Sequence, residues 1–230
     1  MRRKGKSSNE SEVTMKRFYT YLTALAFIGS VTFATRAAET VRLTARPGSK
    51  VVILGTSSIH DWEVVGRIIG GSIEIEKSFL TDKTLQSVKS LQSKKVNPKV
   101  RVIIPVRSLK SGKQKMDEIM REAMRAKKNP MIRFTLDTMV IKGKVPPTGS
   151  PVKFDVTGKL TVAGVTKPIQ MEVTMERLPG NKFKFKGEKK MKMTDFDIIP
   201  PSPKIPGLQV IHTGNEVTVK FEWIVGARTK

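Results

Sequence analysis

The sequence predicts an all-β protein, an antiparallel up-and-down barrel of about eight strands with one amphipathic helix covering it. Three observations lead there. Most of the chain beyond residue 40 alternates apolar with polar residues at period two, the mark of strands with one buried face. Tight turns join most of these strands, which suits antiparallel neighbours, since parallel ones need long crossovers. The period becomes helical at one place, about residues 113–128, and then returns to two.

Taken in order, residues 1–38 are set aside as an N-terminal extension and a secretory signal peptide. Lys16 and Arg17 precede a short apolar run, FYTYLTALAFIGSVTFA, and small residues follow at Ala34, Thr35, Ala37 and Ala38. Its threonines, glycine and serine make it polar for a span, which needs about 20 mainly apolar residues. Cleavage is expected between Ala34 and Glu39, and Met15 makes as natural a start as Met1. Residues 39–230 then form one barrel domain, exported to the periplasm.

Residues 41–56 read as a hairpin turning at Arg46-Pro47-Gly48-Ser49. Trp62 begins a strand expected to stop at Gly70-Gly71, and Ile73 and Ile75 mark the next. Residues 77–99 fit a loop or a short helical turn through Leu85, Val88 and Leu91 equally well.

The organising stretch is 101–134. Val100, Val102, Ile104 and Val106 share one strand face. After Ser111-Gly112, Met116, Ile119, Met120, Ala123 and Met124 make the i, i+3, i+4, i+7, i+8 stripe of a helix about four turns long. Asn129-Pro130 is expected to end it. Ile132, Phe134 and Leu136 resume period two. Strands follow at 152–162, after Ala163-Gly164, after Pro179-Gly180-Asn181 and at 217–225, with a proline-stiffened loop at 200–207.

Cysteine is absent, which excludes disulfides, thiolate catalysis and a lipidated cysteine. The net charge is +23, and about +18 remains once residues 1–38 are removed, so the basicity belongs to the domain. An exported basic domain meets anionic lipid or envelope polymer rather than nucleic acid. Phe183 and Phe185 alternate with Lys182, Lys184 and Lys186 on opposite faces, which argues against base stacking.

No catalytic or metal constellation emerges. His60-Asp61, His212 and Asp195-x-Asp197 lack metal-ligand spacing, and Ser57 and Ser58 lie too close in sequence to His60 to imply a triad. Turn and strand-end roles suit these residues, and neither an enzyme nor a resident cofactor is expected.

Residues 156–169, VTGKLTVAGVTKPI, resemble the G-x-L-T-(I/V)-x-G-V-T-(K/R)-P-(V/I) signature of YceI-like proteins, the lipocalin-like, polyisoprenoid-binding family of exported bacterial proteins. KMKMTDF at 190–196 resembles that family's late strand, and VRSLKSG with NPMIRF resembles its strand–helix–strand segment. SSIHDW at 57–62 suits a subgroup with an S-x-x-H-D-W pattern. Where better-studied members carry Arg-Asp-x-His-Leu in the helix, this chain has Lys115-Met116-Asp117-Glu118-Ile119.

Periodicity alone reports burial and favours an ordinary packed core over a hollow barrel. The resemblance implies a hollow, lipocalin-like one holding an isoprenoid or similar long-chain lipid. The inward-parity residues that would then line it and meet the ligand are Phe154, Val156, Met171, Val173, Met175, Phe183, Phe185, Met191, Phe221 and Trp223 from the strands. Met116, Met120 and Met124 join them from the helix. The basic side of the helix (Lys113, Lys115, Arg121, Arg125, Lys127 and Lys128) suits transient contact with an anionic membrane. The alternative is a basic envelope module that binds an anionic polymer or membrane surface and holds no internal ligand.

Overall fold

The alternating segments become strands that run up and down in chain order, each hydrogen-bonded to the next, until the last meets the first. In a computed structural model, which describes residues 39–86, 88, 98–204 and 210–227, these strands form one antiparallel sheet. The signal-peptide reading of residues 1–38 lies outside the described residues, as do Ile205 to Gly207 of the proline loop and Leu91. Among the described residues, no helix is long and apolar enough to cross a membrane.

The sheet has eight strands, three of them broken in two by a kink. The first is β1 (Thr40–Ala45) continued by β2 (Lys50–Ser57), and the second is β3 (Trp62–Gly66) continued by β4 (Gly70–Glu76). The third is β5 (Lys99–Pro105) continued by β6 (Leu109–Lys110). The remaining five are β7 (Met131–Ile141), β8 (Val152–Val162), β9 (Val165–Leu178), β10 (Lys182–Lys192) and β11 (Thr213–Gly226). Closure comes from β11, which pairs with β2 along most of its edge and with β1 at Thr44↔Gly226 and Ala45↔Val225. A closed barrel leaves no long edge open to another chain.

The expected hairpin at 41–56 is not formed. β1 and β2 both run antiparallel to β11, so the chain bends at residues 46–49 without reversing. The cause is Ser49, which is buried. Its Oγ donates to the Arg46 carbonyl at 3.0 Å and accepts the Ile224 N–H at 3.0 Å, while Arg46 N–H reaches the Ile224 carbonyl at 2.8 Å. The serine hydroxyl stands in for a ladder bond across the kink, so pairing with β11 survives a Pro-Gly step that resembles a turn. Gly70-Gly71 likewise begins β4 instead of ending a strand. Gly71 has φ +120°, and a Cβ there would lie 2.0 Å from the Arg101 carbonyl oxygen.

The period-two faces expected for β7 to β11 are present, and the two-residue turn at Ala163-Gly164 has positive φ at both positions. Between β4 and β5 a single turn of helix, α1 (Ser78–Thr81), buries Phe79; Leu85 and Val88 are buried after it. The strand ends Leu43, Ile75, Val152, Phe154, Phe183 and Val225 are buried in the same core, and this end of the barrel is packed solid.

Between β6 and β7 lies α2 (Gln114–Ala123), shorter than the span expected from its stripe. It stops before Asn129-Pro130 because Arg125 takes a left-handed conformation, φ 51°. Ala126 N–H then bonds to the Arg121 carbonyl and Arg125 N–H to the Glu122 carbonyl, the paired bonds of a Schellman ending with arginine where glycine is usual.

Candidate functional site

Inward parity on all eight strands does not fill the barrel. Past the packed end, β-branched residues, methionines and aromatic rings surround a cavity of about 590 Å³. Three rings keep it open by lying across glycines of the neighbouring strand. Trp62 lies over Gly55, Phe134 over Gly158 and Phe221 over Gly187, where an added Cβ would meet ring atoms at 2.1, 2.5 and 2.6 Å. With no side chain beneath them, the rings lie along the wall. Phe185 and Trp223 pack together deeper down, centroids 6.0 Å apart.

Of the residues the sequence assigned to the ligand, Val156, Met171, Val173, Phe185, Met191, Phe221 and Trp223 line this cavity from the strands. Met116 and Met120 line it from α2, and Met124 from the residue that caps its end. Phe154, Met175 and Phe183 do not. They are at most 3 % exposed and belong to the packed end, because alternation fixes which way a side chain points but not its depth. Sequence reasoning missed Val51, Ile53, Val64 and Ile73 on β2 to β4, and also Leu160 and Val219 on β8 and β11, which line the cavity with the same parity. Phe196 and Ile198, from the segment after β10, join them.

α2 and its C-cap Met124 lie across the open end, with Met116, Ile119, Met120, Ala123 and Met124 toward the cavity. Its start is fastened by Asp117, 4 % exposed, whose Oδ1 accepts the Ser111 N–H at 2.7 Å and the Ser111 hydroxyl at 2.8 Å. Lys110 and Arg121 approach its other oxygen, each at 3.4 Å. Burial by itself would push this carboxyl up; the two Ser111 hydrogen bonds and the Lys110 ammonium outweigh that and hold it below the usual carboxylate range.

The outer side of α2 is less uniformly basic than its sequence implies. Arg121 turns back to Asp117, Arg125 donates to the Phe196 carbonyl at 3.3 Å, and Lys115 pairs with Glu118 at 3.5 Å. The lysine row on β10 is also met by carboxylates, Lys186 by Glu176 at 2.7 Å and Lys184 by Glu222 at 3.9 Å.

The histidines serve the turns. Ser57 Oγ donates to the His60 carbonyl at 2.6 Å, and His212 N–H donates to Ser58 Oγ at 3.1 Å. Among the described residues no three His, Asp or Glu side chains converge as a metal site. Ser57 and His60 reach the cavity only at its mouth, beside Ile59, which is 60 % exposed.

A family model for the YceI-like domain matches residues 55–224. By sequence, no curated protein matches. Solved structures of similar fold include BcnA of Burkholderia cenocepacia, at 19 % identity and TM-score 0.56, covering 76 % of this chain and 95 % of that one. A polyisoprenoid binding domain from Saccharophagus degradans, implicated in plant cell wall breakdown, is similar at 14 % identity and TM-score 0.57, covering 83 % and 100 %. A mutant Campylobacter jejuni YceI protein is similar at 20 % identity and TM-score 0.51, covering 72 % and 85 %.

Proposed function

The chain belongs to the family of YceI-like domains, and on that footing we propose that it is a periplasmic carrier that holds an isoprenoid-type or other long-chain apolar lipid inside the barrel. The observation that carries the reading is the cavity of about 590 Å³, walled mainly by apolar side chains and covered by a methionine-faced helix. Each buried methylene contributes about 0.8 kcal/mol, so chain length alone yields tight binding. Methionine repacks around irregular chains at low cost. The export signal read in residues 1–38 supports a periplasmic location, where a lipid crossing water needs such a shield. Among the described residues no metal-ligand cluster gathers at the cavity, and its mainly apolar wall suits binding.

The helix serves as the gate. Gly112 at its start has φ +79° and an unobstructed surround, and its apolar face is the cover that must lift for loading. A module for anionic polymers is less well supported, because many outward lysines of the sheet already face glutamates: Lys142 and Lys153 both meet Glu172, and Lys220 meets Glu188.

Native mass spectrometry and solvent extraction of protein purified from periplasm test the reading. One long-chain lipid per barrel is expected. Protein that carries no lipid and takes up none from vesicles would contradict it.

A further inference from the structure

Among the described residues, Arg177 and Lys189 are cations at inward-facing strand positions, and of these two Arg177 has a partner. Arg177, at the packed end, lies 5.0 Å over the Phe183 ring and donates to the Asp82 carbonyl at 2.9 Å. Lys189 lies on β10 between Phe185 and Met191, directly across from Val219, and so points inward. It is half-buried and, among the described residues, its ammonium has no ion-pair partner.

Lys189 is three residues short of the end of β10, roughly 10 Å inside the rim at about 3.4 Å per residue. Around it the mouth carries Lys113, Lys115, Lys192 and Lys204, and no aspartate or glutamate is among the lining residues. Among the described residues, Lys115 alone of these pairs, with the exposed Glu118. Asp195 accepts the Lys192 backbone N–H at 3.0 Å but forms no ion pair with its ammonium. On the outer sheet, lysines are placed against glutamates; at the mouth four of the five lining lysines have no carboxylate partner among the described residues. An ammonium against an apolar wall is costly unless something anionic meets it.

We infer that the ligand carries an anionic head group, a phosphate or a carboxylate, seated against Lys189 inside the lysine-ringed mouth with its chain running down the cavity. This rests on the lipid-carrier reading and adds the chemistry of the head. Lys189 anchors the head, and the four rim lysines attract it and exclude competing acidic groups.

The test uses full-length purified protein, delipidated and loaded with the neutral fluorophore N-phenyl-1-naphthylamine, which is then displaced by matched ligands. These are geranylgeranyl monophosphate against geranylgeraniol, and palmitate against hexadecanol. The anionic member of at least one pair is expected to bind about tenfold or more tightly than its alcohol, the scale of a charge-assisted hydrogen bond in an apolar site. Which pair shows the preference identifies phosphate or carboxylate. In Lys189→Met the preference should disappear while affinity for the alcohols persists, and in Lys189→Arg it should survive. Persisting alcohol binding also reports an intact barrel. No anion preference in the wild type, or the same preference in Lys189→Met, would overturn the inference and leave the carrier reading standing. Failure of every ligand to displace the fluorophore would overturn both.

Discussion

The two ends of this barrel are made from the same inward-facing alternation and reach opposite outcomes. At one end Phe154, Phe183, Val152, Val225 and Leu43 fill the interior, with α1 and the segment after it beneath them. At the other, Phe221, Phe134 and Trp62 lie flat over glycines, and methionines from α2 roof a void. Inward cations repeat the contrast, since Arg177 is satisfied by a ring and a carbonyl whereas Lys189 has no ion-pair partner among the described residues. A floor is made where large residues have neighbours on every side, and a site where glycines remove the neighbour from beneath a ring.

The contrast breaks most visibly on truncation. Phe183→Ala should cost about 3–5 kcal/mol of stability, the range for a buried phenylalanine whose site cannot collapse. Phe221→Ala should cost clearly less, because that ring already faces the void and has fewer atoms to lose contact with. Denaturant unfolding of the two variants checks this, and equal losses would mean that the cavity wall is as tightly supported as the floor.

Met120→Glu should leave the strands intact and empty the barrel. It sets an unpaired carboxylate against the apolar interior, and bound lipid should fall to less than about a tenth, as burial of an unpaired charge requires. Co-purified lipid with far-UV circular dichroism measures both. Lipid retained at the wild-type level, with the sheet signal unchanged, would make α2 a fixed plug and place loading elsewhere.

Gly187→Val should convert part of the site into floor. The new side chain displaces the Phe221 ring into the cavity at an overpacking cost of about 1–3 kcal/mol. Calorimetric titration with geranylgeraniol should show weaker binding while the fold persists.

How far these distinctions could be read in advance depends on what alternation encodes. It reports which side chains point inward, so the barrel, its strand faces and the wall from Val156 to Trp223 were legible in the sequence. Depth is set by register around the closed sheet, and for that reason Phe154, Met175 and Phe183 were grouped with the cavity. The kink at 46–49 escaped because Pro-Gly ordinarily reverses a chain, and nothing in one dimension shows the Ser49 hydroxyl bridging to β11. The signal for Lys189 was present: counting by twos from Phe183 and Phe185 reaches it, but the surrounding run of lysines reads as an exposed face.

The smallest effect concerns how firmly the roof is fastened. The Asp117 carboxyl is held below its ordinary value, so its contribution is complete above the unfolded value of about 3.9 and is lost as pH falls through the lower folded value. The stability difference between wild type and Asp117→Asn should therefore be constant near neutrality and shrink below about pH 4. Thermal unfolding across that range measures it, and a difference that grows on acidification would have the wrong sign.

The central claim, a hollow barrel that carries one lipid, meets its most direct test in a crystal structure of the protein purified without delipidation. Expected is continuous electron density along the cavity, beginning beside Lys189, passing under Met120 and ending against Phe185 and Trp223. A cavity closed by inward-turned Trp62, Phe134 and Phe221 rings, with no ligand density, would contradict it.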